Sequence, residues 1–369
     1  MNAIAQIGRA QAALHFANGA MLQAGRVIRA RAPLRLGLAG GGTDLSPYCD
    51  DFGGAVLNCT IDRYAYCFIE ASADGLVHLV ARDLDAEESL SADPAALAGA
   101  GLALHAGVLA RMARDHLGGR IPGLRITTSV DAPPGSGLGS SSALCVAMVE
   151  AFRALLGLPL GPYEVAHLAF EIERIDLALP GGRQDQYAAA FGGTNFIEFL
   201  PGDRVIVNPL RVSRGVLCEF EASLVTCFTG VSRRSESIIS EQTRRMSGPQ
   251  ADSLSSLHQL KADAVEMKLA MLRGRIRQMG QILARSWTAK KRTAAGVSNP
   301  LIDTLHAAAL AHGAIAGKVS GAGGGGFLMF IVPPQGRTGL IRALAAEGGT
   351  AQAVQFTASG AESWETDMV

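Results

Sequence analysis

The sequence lacks most of the residues that would tie it to a zinc centre, a membrane or a nucleic acid. Its six cysteines (Cys49, Cys59, Cys67, Cys145, Cys218 and Cys227) are scattered over 369 residues. None forms a C-x-x-C pair and no histidine cluster stands beside them at zinc-ligand spacing, so they read as reduced thiols. Cys145, between Leu144 and Val146, reads as a small buried hydrophobe rather than a nucleophile. Aromatic residues are 5% and charged residues 18% of the chain, the latter below the ~25% usual for globular domains. The 33 Lys and Arg cancel the 33 Asp and Glu, which leaves no global field to gather nucleic acid or acidic lipid. No apolar run approaches the ~18 residues of a membrane span. Residues 1–25 hold Arg9, no acidic residue and no long apolar stretch, a poor match to a secretory signal or an anchor. The expectation is a cytoplasmic protein with an N-terminal extension over 1–25.

Glycine is what the chain has in excess, 44 residues against the average of ~7%. At ~100–200 residues per domain the length suggests two domains, here 26–208 and 209–369. Leu34, Leu36 and Leu38 alternate with Arg35 and Gly37, the pattern of a half-buried strand, and Tyr64 to Ile69 reads as a second. A helix is predicted over 95–117, stopped by Gly118-Gly119, then a strand over Leu124–Val130 and helices over 143–156 and 163–178. A further helix begins near Gln184. The second half reads as a strand at Leu224–Phe228, a polar region over 232–256, a long amphipathic helix over 258–285, a helix near 300–312, a strand-glycine-strand segment over Lys318–Val332 and a last helix.

The richest segment is Pro133-Pro134-Gly135-Ser136-Gly137-Leu138-Gly139-Ser140-Ser141-Ser142. Three glycines in five residues let backbone approach a ligand closely, and the helix that follows presents free N–H groups at the positive end of its dipole. Three serines add hydroxyls for phosphate oxygens or a magnesium ion, although a glycine turn capped by serine has the same appearance. No G-x-x-x-x-G-K-[ST] occurs, so this is not a Walker A loop. Gly321, Gly323 and Gly326 satisfy G-x-G-x-x-G but lead into the strand-like Phe327–Val332, which excludes a dinucleotide fingerprint. Asp51-Phe52-Gly53 has no H-R-D partner and reads as coincidence.

Three blocks occur in order: Arg31-Ala32-Pro33-Leu34-Arg35 running to Gly40-Gly41-Gly42-Thr43-Asp44, then Pro134 to Ser141, then Lys318-Val319-Ser320-Gly321-Ala322-Gly323-Gly324-Gly325-Gly326-Phe327. Together they resemble the three motifs of the GHMP small-molecule kinases over about residues 28–355. The resemblance implies an α/β (α+β) two-domain fold: a ribosomal protein S5 domain 2-like N-terminal half and a ferredoxin-like C-terminal half, with ATP and substrate between them. Within the family, Thr43-Asp44-Leu45-Ser46-Pro47-Tyr48, Phe170 to Arg174, Gly181 to Tyr187 and Ser286-Trp287 with Lys290-Lys291 are similar to sugar kinases acting on a heptose phosphate. The activity implied is phosphorylation of the anomeric hydroxyl of a heptose 7-phosphate, with ATP as co-substrate and Mg²⁺ as cofactor. The implied partners are small molecules, without nucleic acid or membrane, and a homodimer is left open.

The resemblance also assigns roles. Asp185 is the acceptor of the hydroxyl proton, with Arg35 beside it to bind the moving phosphoryl group; an acid in a first helical turn is the plain alternative. Pro134, Gly135, Ser136, Gly137, Leu138, Gly139, Ser140, Ser141 and Ser142 are assigned to ATP, and Ser141 with Glu173 to the metal, which takes few protein oxygens. Glu171 and Glu173 diverge by about 200° on a helix, so only one faces the cleft, and Arg174 is expected in a surface ion pair. Gly41, Gly42, Thr43, Asp44, Arg183, Gly323 and Gly324 are assigned to the sugar, Asp44 for its capacity to accept two ring hydroxyls. Arg183, Arg233, Arg234, Lys290 and Lys291 are candidates for the substrate's own phosphate. Trp287 is either a stacking platform or core. Two other readings stay open: a kinase for another sugar, galactose- or fucose-type, and a regulator that binds ATP and sugar without turnover. Sugar-dependent ADP release separates the last from the others.

Overall fold

The computed structural model describes residues 14–15, 21–22, 25–231, 235–246 and 251–367. Arg233 and Arg234 lie outside them. A short pair, β1 (Leu14–His15) and β2 (Met21–Leu22), precedes the first large sheet. That sheet contains β3 (Arg26–Ala39), β4 (Gly54–Ala71), β5 (Val77–Ala81), β6 (Ala86–Leu90), β7 (Leu124–Val130), β8 (Thr194–Leu200) and β9 (Arg204–Pro209). Its order is β14-β3-β4-β7-β5-β6, where β14 is Glu362–Asp367, with β8 and β9 added along the first half of β4. Only the β5 and β7 pair is parallel. The helices of this half are α1 (Tyr48–Phe52), α2 (Pro94–Ala98), α3 (Ala103–His116), α4 (Ser140–Leu156), α5 (Pro162–Glu171) and α6 (Gln184–Phe191).

The second half runs through α7 (Arg214–Ala222), β10 (Leu224–Phe228), α8 (Ser235–Met246), α9 (Ala251–Leu272), α10 (Ile276–Thr293), α11 (Pro300–Ala311), β11 (Ala316–Val319), β12 (Phe327–Ile331), α12 (Arg337–Ala346) and β13 (Thr350–Gln352). Its four strands are all antiparallel in the order β11-β12-β10-β13. That is the ferredoxin-like arrangement, in which two β-α-β units interleave. The two-domain mixed α/β fold expected of the chain is therefore the one it has.

Three differences from the sequence reading have physical causes. The strand around Leu36 is not half-buried: α4 and α6 cover one face, α9 and α10 the other, and every β3 residue from Ala32 to Ala39 is buried. Arg35 and Gly37 therefore face the junction of the two halves rather than bulk water. The amphipathic stretch 258–285 is two helices, because Gly274 adopts φ +66° and reverses the chain between α9 and α10. Finally, the chain does not end in the second half. β14 returns to pair with β3, with Arg26 on Glu365 and Asp367 and Arg31 on Glu362 across the seam. A single cut near 208 thus does not separate the two layers.

Candidate active site

The glycines of the phosphate loop adopt left-handed φ at alternate positions, +69° at Gly135, +77° at Gly137 and +74° at Gly139. Each is a backbone conformation that costs L-residues energy and that glycine adopts freely, and the first closes a turn in which the Ser136 N–H donates to the Pro133 carbonyl at 3.2 Å. Crowding adds to this demand. A Cβ on Gly137 would stand 2.2 Å from the Ser320 carbonyl oxygen, and one on Gly326 would stand 2.3 Å from that of Ser136. The phosphate loop and the last glycine loop are therefore packed backbone to backbone, tied by the Phe327 N–H donating to the Ser136 carbonyl at 2.8 Å.

Over this loop opens a cavity of about 580 Å³ lined by Arg35, Pro134, Gly135, Gly137, Gly139, Ser140 to Ser142, Arg174, Asp185, Gly321 and Ala322, within the range that encloses small ligands. An apolar cavity of about 280 Å³ adjoins it, sharing Pro134, Gly135, Ser140 and Ser141 and running to Leu102, Leu104, Val130 and Leu144. Ser136 and Leu138 do not line either: both are buried, as anchors of the loop.

Arg35 and Asp185 meet at the rim. The Arg35 Nε and Nη2 both reach Oδ1 of Asp185, at 2.7 and 2.6 Å, and Nη1 donates to the Gly137 carbonyl at 2.6 Å. One guanidinium thus fixes the acid against the phosphate loop. Oδ2 of Asp185 has no hydrogen-bond partner among the described residues and is free to accept a proton. The Ser141 hydroxyl donates to Oε1 of Glu173 at 2.5 Å, and the Gln186 amide donates to Oε2 at 2.6 Å. Glu173 is wholly buried. Glu171 turns the other way, to Arg111 at 2.6 Å, as the helical divergence requires.

On the far side of the Arg35–Asp185 pair a second cavity is lined by Gly37, Gly41, Gly42, Asp44, Gln184, Ser286, Lys290, Lys318 and Gly321. Asp44 lines it, but its oxygens are occupied: Oδ1 accepts from the Gly42 N–H and the Gln184 amide, and Oδ2 from the Arg183 and Gln184 N–H groups, all at 3.0–3.2 Å. The carboxylate caps the N-terminus of α6, satisfying N–H groups that a helix leaves free. A carboxylate has about four acceptor sites, so Asp44 positions the helix that carries Asp185.

Several assigned residues lie elsewhere. Thr43 is fully buried and its hydroxyl is spent on the Gly40 and Ala55 carbonyls, so it does not reach the cavity. Gly323 and Gly324 pack on Val297, whose carbonyl accepts the Gly324 N–H; Gly321 and Ala322 face the cleft instead. Arg183 lines a neighbouring cavity, paired with Asp50 and Asp203 and lying over the Phe170 ring. Lys291 is exposed above Trp287, which is a core residue. Arg174 is not in a surface pair. It lies under the 179–182 loop, donating to the Leu179 and Gly182 carbonyls and to Ser142, and a Cβ on Gly181 would overlap it. Arg174, Gln184, Gln186 and Ser286 were not singled out for roles in the sequence, and nothing in its spacing marks them apart from the two glutamines flanking Asp185.

A GHMP kinases N-terminal domain profile matches residues 103–193 and a GHMP kinases C-terminal profile residues 267–350. A D-glycero-alpha-D-manno-heptose 7-phosphate kinase of Campylobacter jejuni is 41% identical over 92% of this chain and 99% of its own length. The chain belongs to the GHMP kinases. As a member of that family it is a phosphotransferase, with ATP as its co-substrate. A crystal structure titled as a D-glycero-D-manno-heptose 1-phosphate kinase from Bacteriodes thetaiotaomicron superposes with a TM-score of 0.76 at 42% identity, covering 91% of this chain and 98% of that one. The galactokinase of Pyrococcus furiosus is more distant, 26% identical over 83% of this chain and 89% of its own. None of the described helices of this GHMP kinase is long and apolar enough to cross a membrane.

Proposed function

We propose that the protein transfers the γ-phosphoryl group of ATP to the anomeric hydroxyl of D-glycero-D-manno-heptose 7-phosphate. The substrate reading is supported by full-length relatives above 40% identity that are named for a heptose phosphate. The catalytic reading is supported by one juxtaposition: Asp185, paired with Arg35 through Oδ1 only, lines both the phosphate-loop cavity and the Lys290–Lys318 cavity.

The residues divide the task. Main-chain N–H groups of the Gly135–Ser142 segment bind the polyphosphate at the N-terminus of α4, and the apolar cavity beside them takes the base. The acceptor enters from the opposite side of Asp185, whose Oδ2 receives the hydroxyl proton as the new P–O bond forms and the bond to the ADP oxygen breaks. Arg35 holds Asp185 in place and offers positive charge where the transferring group passes. Ser141 lines the cavity and Glu173 lies buried behind it, with Ser141 on one oxygen and Gln186 on the other. These two hard-oxygen residues would hold Mg²⁺, which takes one or two protein ligands, with Glu173 exchanging the Ser141 bond for the ion or orienting Ser141 toward it. When bound, the ion neutralises charge on the phosphates.

The test is Asp185→Asn, which keeps the shape and removes the proton acceptor. The expected result is a kcat lower by roughly 10²–10⁴-fold with KM for ATP within threefold. Near-normal turnover in a folded variant would refute the assigned role. The names of the two relatives place the substrate phosphate at different carbons, so NMR of the product formed from heptose 7-phosphate decides which hydroxyl is used.

A further inference from the structure

Two lysines line the acceptor-side cavity and neither has an anionic partner. Lys290, in the last turn of α10, is 8% exposed, and Lys318, on β11, is 9% exposed. Lys290 Nζ donates to the Gly41 carbonyl at 3.0 Å. Lys318 Nζ has no hydrogen bond or ion pair among the described residues. Every nearby acid is already engaged. Asp185 is ion-paired with Arg35 through Oδ1, Asp44 accepts four internal donors, and Asp263 accepts from Arg285, Gln259 and Ser286. Arg35 adds a third positive group to the same wall.

Leaving a buried ammonium without a counter-charge costs several kcal/mol in real proteins. A structural role explains a single lysine bonded to a carbonyl, as Lys290 is. It does not explain a second, unbonded one facing the same space. Burial pushes both down, Lys318 to about 7 with Lys290 and Arg35 adding repulsion against Asp263, and Lys290 to about 8 with Arg35 adding repulsion against Asp44, consistent with positive charge that the nearby acids do not fully balance. The cavity is about 70 Å³, far below the ~300 Å³ or more of pockets that enclose whole ligands, and so suits one small group of a larger molecule. It contains no residue of the Pro134–Ser142 loop, so the anion it takes is carried by the acceptor rather than by ATP.

We propose that Lys290 and Lys318 form the subsite for the phosphomonoester that the acceptor already bears, and that this pair makes the protein a kinase of a phosphorylated sugar rather than of a free one. The proposal rests on the heptose 7-phosphate reading above and adds to it the residues that select for the acceptor's phosphate. The phosphate dianion supplies the missing counter-charge and binds most tightly when both ammonium groups are protonated. Arg183, one of the basic residues first considered for this task, lies in a different cavity with two acids on it.

The experiment compares wild type, Lys290→Met, Lys318→Met and Lys318→Arg on two acceptors, D-glycero-D-manno-heptose 7-phosphate and the unphosphorylated heptose. The quantity read is the ratio of kcat/KM for the phosphorylated over the free sugar. Each methionine variant is expected to lower that ratio at least 30-fold, and Lys318→Arg by less than Lys318→Met. An equal loss on both sugars would leave the ratio in place and overturn the proposal, since it would put the lysines on the transferring phosphoryl group. A ratio unchanged without loss overturns it too. A second measurement needs no variant: inorganic phosphate should inhibit the wild type competitively against heptose 7-phosphate and not against ATP, and the reverse pattern counts against the subsite. Failure of the broader reading is separately visible, because wild type would then phosphorylate neither heptose.

Discussion

Removing the charge of Lys318 should make the unliganded protein more stable, and the gain should fade as pH rises. Lys318 has its pKa lowered from 10.5 to about 7, first by burial, then by Lys290 and Arg35, with Asp263 opposing. In the unfolded chain it stays protonated to about pH 10.4. Between these values the unfolded state binds the extra proton, so stability increases with pH across the window, and the full cost of the buried charge is present below about pH 7. At ~1.4 kcal/mol per unit, that cost falls by about 3 kcal/mol between pH 6 and pH 9.5. Methionine fills a similar volume without a charge to desolvate. Lys318→Met is therefore expected to exceed wild type by a few kcal/mol at pH 6 and to approach it at pH 9.5. Lys290, which is lowered to about 8 and feels Asp44 and Arg35, titrates in both proteins and is relieved of one neighbour in the variant, which slightly enlarges the gain. Urea denaturation read by fluorescence of the buried Trp287 in a buffer free of phosphate measures the difference, and inorganic phosphate should narrow it by stabilising wild type alone. A variant less stable than wild type at pH 6, or an advantage that does not change with pH, would refute the reasoning.

Gly137→Ala places a methyl group 2.2 Å from the Ser320 carbonyl at φ +77°; KM for ATP should rise at least tenfold and stability should fall by roughly 1–3 kcal/mol. In Asp44→Asn an amide NH₂ replaces one of the two oxygens facing four donors, so the α6 cap is broken. The expected cost is ~1–2 kcal/mol of stability with a larger loss in kcat than in KM for ATP, and kinetics that leave kcat intact would show that Asp44 does not position the helix. Glu173→Gln should raise the Mg²⁺ concentration needed for half-maximal activity by an order of magnitude or more, while an unchanged metal requirement would remove Glu173 from the metal site.

What could be read from the sequence was what the chemistry requires locally. A loop that wraps phosphate needs glycine at alternating positions, and Gly135, Gly137 and Gly139 declare it; an acid after a glycine turn at a helix start points to Asp185. The alternation in Leu34 to Leu38 gave the strand but not its surroundings, because covering by α9 and α10 is a property of residues more than 200 positions away. β14 was invisible for a related reason: Glu-Ser-Trp-Glu-Thr-Asp has no apolar alternation, and its place in the sheet is a backbone ladder with β3, flanked by pairs between its acids and the arginines of β3. Asp44 looked like a sugar ligand because a free carboxylate after three glycines suits hydroxyls. Its partners are the nearby Gly42 N–H and, from a distant helix, the N–H groups of residues 183 and 184 and the Gln184 amide, which no spacing predicts. In the sequence Lys318 is no more than a residue leading into a glycine loop, since a lysine's worth depends on which carboxylates are already taken.

The site owes its rigidity to helical geometry in α6. Successive residues on a helix are turned by 100°, so Gln184, Asp185 and Gln186 fan across about 200° and reach three different parts of the chain. Gln184 bonds Asp44 behind the acceptor loop, Asp185 bonds Arg35 on β3, and Gln186 bonds Glu173 and Ser142 behind the phosphate loop. One helix of eight residues therefore sets the acceptor side, the base and the metal acid relative to one another. A change at any of the three side chains, or at the residue it bonds, should disturb the other two, so double substitutions across this set are expected to cost less in kcat than the sum of the single losses. Asp44→Asn combined with Gln186→Ala is the pair that isolates this coupling, because the two residues share no contact except through the helix; losses that simply add would mean the helix transmits nothing between them.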